Sequence, residues 1–153
     1  MKRIIYTKPD GSTSIVTPVI NTMGEIEGFT EEDAIKRAWD RLPEDAINPF
    51  ITEAEKVPTD RTFRNAWTVS GNTITHDMGK SREIHRNKMR EARKPKMESL
   101  DIEYQRADET GNIQLKLEIA AKKQALRDVT SDPRIEIVST PEELKAVWPD
   151  IIK

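Results

Sequence analysis

The chain has few residues of the types that carry out catalysis or hold a metal ion. Its two histidines are His76 and His85, it has no cysteine, and no HExxH motif occurs. A zinc site would need carboxylates gathered from distant positions, because cysteine and histidine are the usual zinc ligands. We interpret each histidine as a residue at the surface or at the edge of a hairpin. The sequence therefore predicts neither a metal site nor a disulfide.

Motifs for phosphate binding, calcium binding and nucleophilic catalysis are also missing. The six glycines form neither GxGxxG nor a P-loop, and no GxSxG occurs. Asp108 and Glu109 lack the alternating carboxylate spacing of a calcium loop. We therefore expect a protein that is not an enzyme and that uses no cofactor and no small-molecule substrate.

A basic run between residues 80 and 96 is the strongest charge feature. Only Glu83 and Glu91 oppose eight lysines and arginines there. A helix with this charge could follow a phosphate backbone, although no aromatic residue is interleaved to stack on bases. The preferred interpretation is a solvated helix face, or a face turned towards the acidic N-terminal part. The candidate nucleic-acid patch consists of Lys80, Arg82, Arg86, Lys88, Arg90 and Arg93.

The stretch PTDRTFRNAW, residues 58–67, places two arginines beside two aromatic residues. Arginine and tryptophan dominate binding energy at protein interfaces. In one hypothesis Phe63 and Trp67 anchor the strand body to the start of the long helix, while Arg61 and Arg64 are presented to acidic partners. In the other, Trp67 belongs to the core. A bulge or turn is expected at Arg64–Asn65.

The elements around this stretch predict a small body of hairpins and one helix. RIIYTKPDGSTSIV indicates a β-hairpin turning at Pro9–Gly11, and NAWTVSGNTITHD a second one turning at Ser70–Asn72. FITEAEKVP indicates a further short strand. A helix begins after Thr30 and stops before Pro43. Trp39 could be an aromatic residue that binds a partner, but its place on the apolar stripe favours the core.

The second half predicts two helices joined at Thr110–Asn112 and a short last helix. The short connection favours an antiparallel hairpin, and Pro95 predicts a kink or two shorter helices. The last helix has Thr140 as its N-cap, with Pro141 and Glu143 behind it. The first helix carries the apolar seam Met97, Leu100, Tyr104 and Ala107. The second carries the stripe Leu115, Ile119, Leu126 and Val129, with Ile113, Leu117, Ala121 and Ala125 beside it.

Composition agrees with a small body that carries long solvated helices. Of 153 residues 35% are hydrophobic and 34% charged, with a mean hydropathy of −0.71. Residues 78–128 carry a net charge of +4 between acidic flanks. This charge distribution favours contact between the basic segment and the acidic flanks, within one chain or between copies. We expect an α+β protein with a small domain at 1–77, a helical hairpin at 78–130 and a C-terminal capping helix and tail at 131–153. No signal-peptide core or spanning segment is expected, so synthesis in a cytosol is predicted.

The helical half resembles small bacteriophage tail-fibre assembly proteins of the tail assembly chaperone type. The resemblance covers roughly residues 80–149 and rests on KSREIHRNKMREARKPKMESLD, then AAKKQALRDVT, then VWP. KQALRD at 123–128 is the sharpest element, and Trp148–Pro149 comes second. Lys123 stands where such proteins usually have arginine, and Ile102 follows Asp101 where an aromatic is common. The first half is similar to uncharacterised phage and prophage tail-region proteins.

The resemblance implies a non-enzymatic protein that binds tail or tail-fibre components or itself. It would be a fibre-associated structural subunit or an assembly factor, acting in the host cytoplasm and, as a subunit, in the virion tail. The alternative is a transient chaperone absent from the mature virion, and a weaker one is nucleic-acid binding through residues 80–96. A homo-oligomer is expected, with no membrane partner. The candidate interface residues are Arg61, Phe63, Arg64, Trp67, Met97, Leu100, Tyr104, Leu126 and Trp148.

Overall fold

The computed structural model of the chain describes residues 1–20 and 28–153. The chain forms two compact units, Met1–Asp77 and Met78–Lys153. The first combines strands with one helix and the second is helical, so the predicted α+β class is confirmed. Residues 21–27, within the domain expected at 1–77, lie outside the described residues.

The first unit is built on a three-stranded antiparallel sheet of order β2-β1-β3. Its strands are β1 (Lys2–Thr7), β2 (Thr13–Val16) and β3 (Ile47–Glu53). The predicted first hairpin is confirmed, and Gly11 supplies the positive φ of its turn at 79°. The register places Ile5 between Ile15 and Phe50, which makes β1 the buried central strand.

Helix α1 (Glu31–Trp39) begins with the predicted Thr30 cap, in a capping box completed by Asp33. It buries Ala34 and Ile35. The prediction that Trp39 belongs to the core is wrong, because its side chain remains 37% exposed. Trp39 is the last residue of the helix and lies over the edge strand β3, so its outer face is left uncovered.

A second hairpin completes this unit. Strands β4 (Trp67–Ser70) and β5 (Thr73–His76) pair antiparallel, as predicted, around Gly71 and Asn72. The turn expected at Arg64–Asn65 is present as a 3₁₀ turn over Arg64–Ala66. The buried core cluster consists of Ile5, Phe50, Trp67 and Ile74, and so joins the hairpin to the sheet.

The second unit is dominated by two helices, α2 (Met78–Glu109) and α3 (Ile113–Asp128). Gly111, at a φ of 65°, turns the chain between them, and the Asn112 side chain caps α3. Of the two alternatives predicted at Pro95, a kink or two shorter helices, the second is wrong, because α2 runs unbroken through Pro95. Pro95 is exposed, so solvent can bond to the carbonyl that its missing N–H leaves unpaired.

The C-terminal segment packs on these two helices. It contains α4 (Arg134–Ile137), α5 (Pro141–Ala146) and a 3₁₀ turn over Asp150–Ile152. The predicted capping box of Thr140 and Glu143 is confirmed. The side chains that this segment buries are Ile135, Leu144, Val147 and Ile152.

Candidate protein-interaction surfaces

Four of the eight basic side chains in the basic run of α2 bind main-chain oxygens of their own unit. Arg82 reaches across to the C-terminal end of α4. Its guanidinium donates to the carbonyl oxygens of Ile135 and Val138 at 3.0 Å each, and to that of Glu136 at 3.3 Å. The last carbonyls of a helix have no partner within the helix and carry partial negative charge, so a guanidinium there is favourable. Arg82 therefore closes the end of a helix that is only four residues long.

Two further arginines of α2 make contacts of the same kind. Arg93 donates to the carbonyls of Leu126 and Arg127, at 3.3 and 3.0 Å, where α3 ends. Arg86 donates to the carbonyl of Thr130 at 3.3 Å and also pairs with the carboxylate of Glu136.

Lys96 extends this pattern to the end of the chain. Its ammonium group donates to main-chain oxygens of Ile151 and Lys153, at 2.9 and 2.6 Å. Four basic side chains spaced along one helix thus bind carbonyls of α3 and of the segment that follows it.

The candidate nucleic-acid patch is broken up by this arrangement. Arg82, Arg86 and Arg93 bond to carbonyls of their own unit, and Arg90 pairs with Glu83 at 2.8 Å. Lys80 and Lys88 are exposed. A continuous phosphate-binding face would need these guanidinium groups turned outwards together.

The interpretation of His85 as a residue at the surface or at a hairpin edge is wrong, whereas His76 does lie in a hairpin, as the last residue of β5. His85 is buried at 2% exposure, and its Nε2 lies 2.8 Å from the carbonyl oxygen of Val147. The ring meets Trp148 edge-on, with 5.5 Å between the ring centres. Burial lowers the pKa of His85 and outweighs the hydrogen bond to Val147, which raises it. His85 thus joins α2 to the Trp148–Pro149 end that the sequence singled out.

Within PTDRTFRNAW, the structure separates the aromatic residues from the arginines. Phe63 and Trp67 are each 2% exposed, and the Trp67 indole N–H donates to Nε2 of His76 at 3.0 Å. Arg61 and Arg64 are exposed. The two aromatic residues belong to the interior, and only the arginines remain available to a partner.

The apolar seam of α2 packs inside the helical hairpin. Met97, Leu100 and Tyr104 are half-buried, and Leu126 of α3 is buried at 1% exposure. The seam therefore serves first to hold α2 and α3 together.

Charged residues of α3 reinforce the hairpin at Tyr104. The ammonium groups of Lys116 and Lys123 lie 5.4 and 5.3 Å from the centre of its ring, within reach of a cation–π interaction. The same lysines pair with Asp108 and Asp101 of α2, each at 2.5 Å. Lys123 thus ties the KQALRD element to the first helix.

An exposed apolar surface on α3 lies outside the candidate interface residues that the sequence predicts. Ile113 is 72% exposed and Leu117 is 63% exposed, and Ala121 and Ala125 continue the same line. We call these four residues the α3 ridge. The signal was present in the sequence as a second apolar line beside the buried stripe of this helix.

The first unit carries a smaller exposed apolar surface. A groove of about 330 Å³ runs between α1 and β3, with Trp39 and Ile51 on its walls. Its rim is charged, and Lys36 and Asp40 pair across one turn of α1 at 2.8 Å. Ile47 and Ile51 of β3 are each 45% exposed, but Pro49 lies between them and blunts this edge against strand addition.

The part of the chain that the structure describes was searched for metal-binding groups and for membrane-spanning helices, and neither was found. No group of three or more histidine or acidic side chains is placed there to hold a metal ion. None of the helices described is both long and apolar enough to cross a membrane. No protein-family model, curated protein or solved structure matches the chain.

Proposed function

We propose that this chain is a non-enzymatic bacteriophage tail-region protein that binds tail or tail-fibre components or further copies of itself. The observation that carries the proposal is the α3 ridge. Two large aliphatic side chains, Ile113 and Leu117, stand exposed in one line on a helix whose opposite face is packed. Regularly spaced exposed apolar residues of this kind mark protein-interaction sites.

The resemblance of the helical half supports the tail-region part of the proposal. KQALRD contributes Lys123 and Leu126 to the packing of the hairpin, and Trp148 packs on buried His85. The residues that resemble those of tail-fibre assembly proteins thus lie at packing contacts inside the second unit. They favour a helical fold in common with those proteins, while the α3 ridge would be the surface that binds a partner.

Nucleic-acid binding through residues 80–96 is not part of this proposal. The arginines that would contact phosphates are bonded to carbonyls or to Glu83 and Glu136. Turning them outwards would leave the ends of α3 and α4 without those donors.

Gene deletion in the phage that carries the chain, combined with co-expression, tests the proposed function. We expect particles that lack fibres or complete tails, and a complex of the purified protein with a tail or fibre subunit of that phage. Normal particles together with no complex would refute the proposal.

Mass spectrometry of purified particles separates the two forms of the proposal. A fixed copy number in every particle indicates a structural subunit of the virion. Absence from the particle, together with a complex on the free fibre subunit, indicates a transient assembly chaperone.

A further inference from the structure

A cavity of about 600 Å³ lies in the first unit between α1 and the sheet, and we call it the α1 cavity. Tyr6 and Val16 line it from the sheet, and Ala34 and Ala38 line it from α1. Tyr6 and Val16 share one face of the sheet, because Val16 pairs with Ile4 and side chains alternate along β1. The short alanine side chains leave the space between helix and sheet unfilled.

The hydroxyl group of Tyr6 is a polar group that a ligand in this cavity would meet. Tyr6 is only 7% exposed and lines the cavity. Among the residues that the structure describes, its hydroxyl has no hydrogen-bond partner, whereas every fully buried polar side-chain atom there has one. The hydroxyl oxygen therefore keeps access to the open space of the cavity. Because a tyrosine buried to this degree usually has a hydrogen-bond partner, the hydroxyl marks a position for a ligand atom.

Two arginines of α1 line the same cavity and have no carboxylate partner within the described residues. Arg37 and Arg41 are four residues apart, so their side chains lie on one side of the helix. The acidic residues beside them are already engaged. Asp33 completes the capping box of α1, and Asp40 pairs with Lys36 at 2.8 Å. Two neighbouring guanidinium groups without an anion form a site for a carboxylate, which they can bind through paired hydrogen bonds.

The other described residues around the cavity are mostly apolar. Val19, Leu42 and Pro43 line it, and Val19 is 78% exposed. Ligand sites usually measure about 300–1,000 Å³ and combine apolar walls with a few polar groups. The α1 cavity has both the size and the composition of such a site.

We propose that the α1 cavity binds a carboxylate that is attached to an apolar group. The carboxylate accepts hydrogen bonds from Arg37, Arg41 and the Tyr6 hydroxyl, and the apolar group lies against Val16 and the alanines of α1. A singly charged carboxylate fits these apolar walls better than a phosphate, because removing a higher charge from water costs more. The ligand is a free aliphatic or aromatic acid, or the last residue of a partner protein. This site goes beyond the proposed function, which rests on the α3 ridge.

A nuclear magnetic resonance titration of the full ¹⁵N-labelled chain with hexanoate tests the proposal. We expect the amide signals of Tyr6, Val16 and Ala38 to shift, with a Kd on the order of 1 mM or lower. The uncharged analogue 1-hexanol has the same carbon chain and should bind at least about tenfold more weakly. Inorganic phosphate, which lacks the apolar part, should bind more weakly by at least the same factor.

Substitutions test the polar groups of the site. Replacing Arg37 and Arg41 together with glutamine should raise the Kd for hexanoate at least about tenfold, and Tyr6→Phe at least about threefold. The matched control replaces Arg61 and Arg64 with glutamine, which removes two charges from exposed positions of the same unit outside the cavity. This control should leave the Kd within about twofold of wild type. Circular dichroism should show the same helix content in all variants.

A cavity-filling substitution tests the apolar part of the site. Ala38→Leu places a larger side chain in the cavity and should raise the Kd for hexanoate at least about tenfold. Leucine favours helix nearly as well as alanine, so α1 is expected to stay intact. If this variant fails to fold, the arginine and tyrosine variants still test the site.

A peptide probe distinguishes the two sources of the ligand. Acetyl-alanyl-alanyl-leucine carries a free carboxylate on an apolar last residue, and its C-terminal amide is the uncharged control. Tighter binding of the free peptide than of hexanoate indicates the chain end of a partner protein. Tighter binding of hexanoate indicates a free acid.

Three results would overturn the proposal. The first is an absence of shifts at about 10 mM hexanoate and peptide. The second is binding of 1-hexanol or phosphate as tight as that of hexanoate. The third is a variant of Arg37 and Arg41 that binds like the wild type. None of these results bears on the α3 ridge, so the proposed function is judged separately by the gene deletion.

Discussion

Each unit of this chain has buried apolar side chains, but only the second adds a row of contacts between basic side chains and main-chain oxygens among the residues that the structure describes. In the first unit an apolar cluster that includes Phe50 and Trp67 lies between two small sheets. In the second, a line of basic side chains on α2 binds backbone carbonyls, and Arg82 alone reaches three of them. The comparison teaches that a basic run need not indicate an anionic ligand. Helix ends in the same unit offer partial negative charge that can account for it.

The largest effect is expected when the apolar cluster of the first unit is broken. Trp67→Ala removes a side chain that is 2% exposed and leaves a cavity, which should lower the free energy of unfolding by about 3–5 kcal/mol. Urea denaturation followed by circular dichroism measures the loss. Trp39→Ala is the matched control, because that side chain is 37% exposed and should cost about 1 kcal/mol or less. Equal losses for the two variants would contradict the assignment of Trp67 to the core.

A smaller effect is expected when a charge is removed from the second unit. Arg82→Met keeps the aliphatic stem but loses the donors to three carbonyls, and should cost about 2–3 kcal/mol. Arg90→Met is its control, since Arg90 forms an exposed pair with Glu83 worth about 1 kcal/mol or less. Thermal denaturation of both variants provides the measurement. If Arg90→Met costs as much as Arg82→Met, the carbonyl contacts are not what stabilises this unit.

The stability of the second unit should depend on pH through the buried His85. Burial lowers the pKa of His85 below its ordinary value of 6.5, so the unfolded chain takes up a proton first as the pH falls. This contribution to stability is complete above about pH 6.5 and is lost as the pH falls towards the folded pKa. The nearby charges of Arg86 and Lys88 act in the same direction.

The check is urea denaturation of the wild type and of His85→Gln between about pH 7.5 and pH 5.5. Glutamine can still donate to the Val147 carbonyl but does not titrate there, so the variant should lose less stability over this range. If the free energy of unfolding changes equally with pH in the wild type and in the variant, protonation of His85 does not contribute to the pH dependence.

The smallest effect on stability is expected at the two arginines of PTDRTFRNAW. Arg61 and Arg64 are exposed, so replacing both with alanine should change the free energy of unfolding by no more than about 0.5 kcal/mol per site. Thermal denaturation measures this change, and binding to a tail component should weaken if the arginines meet acidic partners. A loss of several kcal/mol would instead give these side chains a structural role.

Much of the fold could be predicted because its signals are local. Thr30 and Thr140 are followed three residues later by acidic residues, and Gly11, Gly71 and Gly111 lie where the chain turns with positive φ. Such features depend on a few neighbouring residues. They can be recognised without knowing what packs where.

The features that were missed depend on partners distant in the sequence. The carbonyls that Arg82 binds belong to residues more than fifty positions away, and a backbone carbonyl leaves no signature in the residue type. His85 is buried on a face with Ser81 and Met89, a line that does not look apolar in the sequence. For α3 the sequence offered two apolar lines, and only the packing of α2 decided that Ile119 lies inside and Leu117 outside.

Arg82, Arg86 and Lys96 of α2 bind the C-terminal segment, and we expect partners to bind elsewhere on the protein. Amide hydrogen exchange on the wild type and on Arg82→Met tests this arrangement most directly, because exchange reports local opening along the chain. We expect faster amide exchange in Arg134–Ile137 and Pro141–Ala146 of the variant, with exchange in β1 and β4 unchanged. Unchanged exchange in those two helices, or a uniform increase over the whole chain, would contradict it.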